Sequence, residues 1–175
     1  MIRHLTAADY TAMPWANGRG QTIEMLRVDR PEGGLLYRLS VAAVTGNGPF
    51  SLFQGIERNL TVISGPGFDL VGDIELRADP LVPVAFPGYA HMAAAGVTGP
   101  SEDFNVMTCA RLPKPEVQVI SAGVARPIKG RALVLFALDP AKVGPHQMAR
   151  RDLLITDEAF EISGGPVIAV TLTLF

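Results

Sequence analysis

The sequence has little of the chemistry that marks a redox, disulfide or metal site. It holds one cysteine, Cys109, so no intrachain disulfide can form. Cys109 lies in an alternating apolar run with no adjacent base or cation, which predicts a buried structural thiol. The three histidines, His4, His91 and His146, are far apart, and none has a second histidine two residues on. Because open metal sites need converging imidazole and carboxylate ligands, we expect no metal and no other cofactor.

The chain also lacks long apolar runs and clustered charge. The N-terminal residues have no apolar core typical of a secretory signal, and no run approaches the roughly 18 apolar residues of a membrane-spanning helix. The net charge is −2 and the basic residues are scattered, which disfavours nucleic acid and membrane surfaces as partners. We expect a cytoplasmic protein, with homodimerisation through an exposed sheet edge as the default oligomer.

Short apolar runs with period-two alternation, separated by glycine and proline, predict a mostly-β fold. Eighteen glycines and fourteen prolines leave little room for long helices, and the helical candidates are Thr6–Tyr10 and Asp139–Val143. The predicted strands are Thr22–Val28, Tyr37–Val44, Asn59–Ser64, Ile74–Arg77, Val82–Phe86, Phe104–Arg111, Val117–Ile120, Ala132–Leu138, Leu153–Thr156 and Val167–Phe175.

About ten short strands imply a β-sandwich or β-barrel. The proline-rich segment Arg111–Pro115 divides them into a larger N-terminal β-half, residues 1–112, and a smaller C-terminal β-half, residues 113–175. The second half is too small to hold a core alone, so we expect it to pack against the first in a single compact unit. At 175 residues, the chain can bury about 70% of the surface that its unfolded form exposes.

Alternation along the predicted strands collects polar side chains on shared faces. In Tyr37–Ala42, even-numbered residues lie on one face and odd-numbered apolar residues on the other. Such polar faces line either a pocket inside a barrel or the solvent, and alternation alone leaves both interpretations open. The residues that share such faces are Thr22 with Glu24, Arg38 with Ser40 and Ala42, and Asn105 with Met107.

Two segments between the strands have unusual composition. Trp15–Gly20 joins an aromatic side chain, an asparagine and two glycines, so its backbone can turn sharply or approach a ligand. Its Gly-x-Gly lacks the third glycine and the strand-to-helix context of a dinucleotide site. Asn47–Arg58 carries Phe50, Ser51 and Phe53. For the two phenylalanines, core packing is favoured over a stacking platform.

Four ordered blocks of the sequence resemble the HutD/Ves family. Together they cover roughly residues 13 to 111, and the remainder is similar to the family only in its strand-rich character. Arg19 stands where the family usually has another glycine, and Tyr37 where tryptophan is common. The four blocks are Trp15–Glu24, Tyr37–Ala42, Gly48–Arg58 and Gly99–Met107.

The resemblance implies a cupin-like β-barrel or sandwich fold of two fused, bicupin-like halves, and an association with histidine utilisation. It also implies binding of a pathway intermediate such as formylglutamate or urocanate, in a role that moderates flux or expression, while Ves is linked to stress response. It implies no established reaction. The expected partner is therefore a small carboxylate metabolite.

We expect the ligand site on the inward polar faces of the N-terminal half. Arg38 is the first choice of anchor, because an inward mid-strand charge must be paired and a guanidinium binds a carboxylate bidentately. Glu24 and Thr22 would orient Arg38, and Arg58 could take a second carboxylate. Alternatively, Glu24 and Arg38 form only a fold-stabilising pair. The candidate ligand-binding residues are Trp15, Asn17, Thr22, Glu24, Arg38, Ser40, Phe50, Ser51, Phe53, Arg58, Asn105 and Met107.

A metal-independent isomerase or hydrolase acting on a similar carboxylate is the alternative to a binding protein. Glu24 would serve as its base if burial raised the pKa, but an opposing arginine lowers that pKa. Ser40 and Ser51 lie outside a Gly-x-Ser-x-Gly elbow, which disfavours a nucleophilic triad. A purely structural interaction protein is the third class. A binding protein is stabilised by the metabolite, an enzyme consumes it, and a structural protein does neither.

Overall fold

The computed structural model describes residues 1–18 and 20–173, and almost all of their regular structure is β. A 3-10 turn at Ala7–Asp9 is the helical element of the described chain. The mostly-β prediction is confirmed. The strands are β1 (Ile2–Leu5), β2 (Thr11–Pro14), β3 (Gln21–Asp29), β4 (Leu35–Val44), β5 (Gly48–Pro49), β6 (Ile56–Ser64), β7 (Phe68–Gly72), β8 (Leu76–Ala78), β9 (Val84–Pro87), β10 (Met92–Ala95), β11 (Ser101–Cys109), β12 (Glu116–Ile120), β13 (Gly123–Ala125), β14 (Ala132–Ala137), β15 (Ala141–Val143), β16 (His146–Met148), β17 (Leu153–Thr156), β18 (Phe160–Ser163) and β19 (Val167–Leu172).

The chain forms two compact units. The N-terminal unit is Thr11–Leu112, and the C-terminal unit joins Met1–Tyr10 to Pro113–Phe175. The first ten residues belong to the C-terminal unit because β1 pairs antiparallel with β17. The expectation that both halves pack into a single compact unit stays a prediction.

The N-terminal unit is built from two antiparallel sheets. One has the strand order β2-β3-β4-β11-β6-β9, and the other has the order β5-β10-β7-β8. Apolar side chains from both sheets form the core, among them Leu60 and Val62 on β6 and Phe68 and Leu70 on β7, each 1% exposed or less. The unit is therefore a two-layer β-structure whose six-stranded sheet contributes long strands on either side of β11.

The C-terminal unit has the same two-sheet plan on a smaller scale. Its five-stranded sheet has the order β1-β17-β14-β19-β12, and its four-stranded sheet has the order β13-β18-β15-β16. Leu133 and Leu135 on β14 pack with Val143 on β15 and Ile162 on β18, all nearly inaccessible to solvent. This unit therefore has a core of its own, formed between its two sheets.

One helix prediction is wrong. In Asp139–Val143, an acidic residue in the N-cap position followed by Pro140 is typical of a helix start. The structure instead places strand β15 at Ala141–Val143. β15 pairs with both β16 and β18, and only three residues separate Pro140 from the turn at Gly144. Strand pairing outweighs a helix this short, because nucleating one helical turn is unfavourable. The predicted strand Val167–Phe175 ends at Leu172, and its last two residues lie outside the described chain.

The turn at Thr6–Tyr10 is shorter than the predicted helix but has its expected start. Thr6 occupies the N-cap, and its backbone N–H donates to Asp9 Oδ2 at 2.8 Å. None of the described helical segments has the length and apolar character needed to cross a membrane.

Candidate functional site

A cavity of about 520 Å³ opens in the N-terminal unit, a volume suited to a small metabolite. Its strand-borne wall comes from β3, β4, β6, β10 and β11, and the segment from Thr45 to Phe53 supplies much of the rest. Among the described residues, the charged side chains of the wall are Arg38, Arg58 and Asp103. The cavity is thus a mixed polar and apolar site with two arginines and one carboxyl group.

The structure brings together eleven of the twelve candidate residues. On β4, Arg38, Ser40 and Ala42 line the cavity while Leu39 points into the protein interior, as alternation indicates. Glu24 is the candidate that is not part of the wall. The eleven that line the cavity are Trp15, Asn17, Thr22, Arg38, Ser40, Phe50, Ser51, Phe53, Arg58, Asn105 and Met107.

The Trp15–Gly20 segment connects the antiparallel strands β2 and β3. Its ends are tied by a 2.9 Å hydrogen bond from the Trp15 N–H to the Gly20 carbonyl oxygen. A Cβ at Gly20 would lie 3.0 Å from the Trp15 ring, so the indole packs closely over this glycine. The indole Nε1–H donates to Thr22 Oγ1 at 3.0 Å, which places the ring at the cavity wall. Arg19 lies outside the described residues.

The segment carrying Phe50, Ser51 and Phe53 is fastened to the backbone around Gly88. The Phe53 N–H donates to the Gly88 carbonyl oxygen at 2.7 Å, and the Gly88 N–H donates to the Ile56 carbonyl oxygen at 2.7 Å. A Cβ at Gly88 would lie 2.5 Å from the Phe53 carbonyl oxygen. Glycine at this position therefore allows the close backbone approach that positions three cavity residues.

Arg58 is a buried cation enclosed by aromatic rings. Arg58 is 7% exposed to solvent. Its guanidinium carbon lies 5.4, 5.4 and 5.1 Å from the ring centres of Phe50, Phe53 and Phe86. Attraction to ring faces offsets part of the cost of burying this charge. Burial still lowers the pKa of the guanidinium to about 10, which leaves it charged at neutral pH.

The hydrogen bonds of Arg58 are few and long. Its Nη1 lies 3.5 Å from the Ser51 carbonyl oxygen, and its Nη2 lies 3.5 Å from Asn105 Oδ1. Nε is buried without a hydrogen-bond partner in the described chain. Buried guanidinium N–H groups normally have close acceptors, so Arg58 has unused capacity to bind an anionic group.

Asp103 is the third charged residue of the wall. It is 2% exposed and its Oδ1 accepts a 2.5 Å hydrogen bond from the Asn105 amide. Burial raises the pKa of its carboxyl group to about 7, against the opposing effects of the Asn105 hydrogen bond and the Arg58 charge. This carboxyl group therefore holds its proton to a much higher pH than an exposed aspartate does.

Arg38 and Glu24 form an ion pair across neighbouring strands. Arg38 Nε donates to Glu24 Oε2 at 2.6 Å, and both side chains are about 15% exposed. A second guanidinium nitrogen lies 3.5 Å from Met13 Sδ. Glu24 thus holds Arg38 at the cavity wall, a geometry that suits both the orienting role and the fold-stabilising role considered for this pair.

The histidines and the cysteine lie away from the cavity wall. His4 bonds to Asp152, His91 bonds to Asp73, and His146 stacks edge-on against Phe160. Within residues 1–18 and 20–173, no group of three histidine, cysteine, aspartate or glutamate side chains is placed to hold a metal ion. Cys109 is buried, as its apolar surroundings predict.

Sequence reasoning missed one residue of the cavity wall, Asp103, and one core residue that contacts the wall, Phe86. Asp103 lies two residues before Asn105 on β11, so extending the same alternation would have placed it on the cavity face. Phe86 was assigned to a strand, but its contact with Arg58 depends on the pairing of β6 with β9. No local sequence signal identifies that pairing.

Known proteins share this architecture. The family model described as HutD matches residues 7–167. HutD from Pseudomonas fluorescens SBW25, solved in a formate condition, is 31% identical, with a TM-score of 0.86 over 99% of this chain and 98% of that one. The bacterial pirin YhhW from Escherichia coli, in complex with nickel(II), is 9% identical, with a TM-score of 0.69 over the full length of both chains. At that identity, the pirin shares the fold alone.

One curated relative is a Pseudomonas putida protein. It is an uncharacterised 21.2 kDa protein in the hutC 3′ region and is 40% identical over 111 residues. The match spans 61% of this chain and 57% of that protein's length. The match of the family model over most of the chain and the likeness of the whole structure agree: the fold is cupin-like, and this chain belongs to the HutD family.

Proposed function

We propose that this chain is a metal-free binding protein for a small carboxylate metabolite of histidine degradation, with a regulatory or flux-moderating role. Membership of the HutD family associates it with histidine utilisation. The proposed ligands are formylglutamate or urocanate. The observation that carries the proposal is Arg58, a buried cation at the cavity wall without a close acceptor for its Nε–H.

A carboxylate ligand would complete the interactions of Arg58. A buried guanidinium is costly unless it is paired and hydrogen-bonded. The described groups around Arg58 supply three aromatic rings and two hydrogen bonds of 3.5 Å. A carboxylate can accept two parallel N–H bonds from the guanidinium fork, which is a strong and directional arrangement.

Arg38 supplies the second cation for a dicarboxylate. It lines the same cavity but already binds Glu24 through Nε. We therefore assign the tighter contact to Arg58 and the second carboxylate to Arg38, the reverse of the order favoured by sequence reasoning. Ser40 and Asn105 provide neutral hydrogen-bonding groups on neighbouring strands, and their backbones pair in register.

The test is a binding screen with N-formyl-L-glutamate, urocanate, formiminoglutamate and glutamate. A ligand at a hundredfold excess over its dissociation constant raises the free energy of unfolding by about 2.7 kcal/mol. Thermal shift and calorimetry on the parent chain should detect this gain, while NMR should find the ligand unchanged after prolonged incubation. If none of the four ligands stabilises the chain, the proposal is wrong.

The alternative is a metal-independent isomerase or hydrolase acting on a similar carboxylate. One observation favours it: Asp103 is a buried carboxyl group with a pKa raised by burial to about 7, a value suited to general acid or base catalysis. Glu24, the base considered from sequence, is instead bonded to Arg38. Consumption of any of the four ligands in the same NMR experiment would favour the enzyme.

A further inference from the structure

Asp103 and Arg58 face the same cavity from neighbouring strands, β11 and β6. Asp103 pairs in register with Val62 and Arg58 with Met107, so the two charged groups stand four positions apart along the paired strands. They form no salt bridge in the described chain, and Asp103 Oδ1 instead accepts a hydrogen bond from the Asn105 side-chain amide. The described wall thus holds one buried carboxyl group and one buried guanidinium that are not directly paired.

The charges around Asp103 come from four strands. Besides burial, which raises the pKa of Asp103 most, the charge of Arg58 on β6 lowers this pKa and the charge of Glu102 on β11 raises it. Alongside burial, the charge of Arg38 on β4 contributes to lowering the pKa of Arg58, and Arg38 itself is hydrogen-bonded to Glu24 on β3. The cavity residues of β10 and of the segment from Thr45 to Phe53 carry no titratable group. Arg58 is therefore the one cation of the described wall that no carboxylate binds directly.

A bound carboxylate would compete with Asp103 for this cation. Two ionised carboxylates in one buried site repel each other strongly, and one of them then holds a proton. When the ligand is fixed to Arg58 as the anion, Asp103 becomes the group that is neutralised. A neutral carboxyl group is also useful there, since its O–H can donate to a ligand oxygen.

Building on the proposed carboxylate-binding function, we propose that Asp103 is the specificity residue of the cavity and takes up a proton from solvent when a carboxylate binds beside Arg58. In its neutral form, Asp103 donates a hydrogen bond to the bound carboxylate. Ligand binding is thereby coupled to proton uptake, and the site selects an anionic oxygen acceptor over an amide or ammonium group.

The ionisation of Asp103 determines how ligand affinity changes with pH. Burial raises its pKa to about 7 in the unliganded chain, and the ligand's negative charge raises it further. Above neutral pH, Asp103 must be reprotonated for binding, so the dissociation constant should rise roughly tenfold per pH unit. Below neutral pH, Asp103 already holds its proton and the affinity should level off.

The experiment measures binding of N-formyl-L-glutamate by calorimetry from pH 6 to pH 8.5. Parallel titrations in phosphate and Tris, which differ in ionisation enthalpy, count the protons taken up by the unmodified chain. We expect uptake of about one proton per ligand at pH 8. The result does not depend on a variant, so a folding defect in Asp103 mutants cannot obscure it.

Two variants and a control locate the proton. Asp103→Asn keeps the shape and a donor but cannot ionise, so its binding should lose the pH dependence and exceed that of the parent at pH 8.5 by roughly thirtyfold. Asp103→Ala also cannot ionise but removes the donor, so it should bind the ligand more weakly than Asp103→Asn at every pH. The control, Glu75→Gln, neutralises an exposed carboxylate outside the cavity wall and should retain the parent's pH profile.

The possible results separate this inference from the proposed function. Binding that weakens above neutral pH in the parent and not in Asp103→Asn supports proton uptake at Asp103. Binding with no proton uptake, or an unchanged pH profile in Asp103→Asn, overturns the inference and leaves the carboxylate-binding function intact. Absence of binding at all pH values overturns both.

Discussion

Arg58 and Phe86 are direct cross-strand partners, and the guanidinium carbon of Arg58 lies 5.1 Å from the centre of the Phe86 ring. The pairing of β6 with β9 brings a cation and a ring face together on the inner side of the sheet. Phe86 is 3% exposed and belongs to the core, while Arg58 lines the cavity. A core aromatic ring thus helps to stabilise the buried guanidinium of Arg58 at the cavity wall.

This contact predicts energetic coupling between Phe86 and Arg58. In a double-mutant cycle with Phe86→Leu and Arg58→Met, urea unfolding should give a favourable coupling energy of about 0.5–2 kcal/mol, because leucine fills space without offering a ring face. A control cycle pairs Phe86→Leu with Arg27→Met, which alters an exposed arginine bonded to Asp29. The control should be additive, and equal coupling in both cycles would contradict the prediction.

The two cavity arginines should differ in their contribution to binding. Lysine keeps the charge but loses the planar fork, and Arg58→Lys should weaken N-formyl-L-glutamate binding by about 1.5–3 kcal/mol. Arg38→Lys should have a smaller effect in the same direction, since Glu24 already binds that guanidinium. Calorimetry at pH 6.5 measures both affinities.

A matched substitution outside the cavity tests this comparison. Arg77→Lys changes an exposed arginine bonded to Asp79 in the same unit, and it should bind the ligand as the parent does. If Arg58→Lys folds with parental stability and also binds as the parent does, Arg58 is not the anchor. If Arg38→Lys has the larger effect, the order favoured by the sequence is correct.

Gly88 should control the position of the phenylalanine-bearing wall. Gly88→Ala places a methyl group 2.5 Å from the Phe53 carbonyl oxygen and 2.8 Å from that of Ile56, and relief of these contacts must move the Phe50–Gly55 backbone. We expect a stability loss of about 1–3 kcal/mol together with weaker ligand binding. Gly99→Ala, where the nearest atom is 4.0 Å away, is the control, and similar losses in both variants would refute the assignment.

The pKa of Asp103 predicts a pH dependence of stability in the absence of ligand. Burial raises this pKa from 3.8 to about 7, so the folded state holds the proton more tightly than the unfolded state between these values. The contribution of Asp103 to stability is therefore full below the lower value and is lost as the pH rises through 7. Urea unfolding at pH 5 and pH 8 measures this loss.

Asp103→Asn is the reference for that measurement. Its side chain cannot ionise, so its stability relative to the parent should increase from pH 5 to pH 8. Groups that titrate elsewhere in the chain affect both proteins equally and cancel in the difference. A difference that stays constant or changes in the opposite direction would show that the Asp103 carboxyl group is not destabilised when charged.

Alternating apolar patterns predicted the long strands well. Tyr37–Val44 lies within β4, where the apolar Tyr37, Leu39 and Val41 are buried at strand period. Leu153–Thr156 coincides with β17, where all four residues are buried, as expected for a short run on a strand covered on both faces. Very short strands such as Gly48–Pro49 have no period to detect, and β5 exists only through its pairing with β10. Tertiary pairing therefore defines the elements that the sequence left out.

The sequence predicts those residues of the candidate site that share one face of a strand. Alternation placed Arg38 with Ser40 and Asn105 with Met107, and all four line the cavity. The choice between a pocket and solvent could not be made from alternation, because it depends on what lies opposite the sheet. The burial of Arg58 among three rings likewise depends on strands and loops far apart in the sequence.

The pairing of β1 with β17 has a consequence for biosynthesis. His4 and Asp152 are 148 positions apart, and a 2.8 Å bond joins their side chains where β1 lies beside β17 at one edge of the five-stranded sheet. At typical rates of translation, β1 waits on the order of ten seconds for β17 to be made. The residues of the N-terminal unit are contiguous in sequence, so this unit can begin to fold on the ribosome during that interval. β1 stays unpaired and accessible to chaperones until the C-terminal sheet assembles.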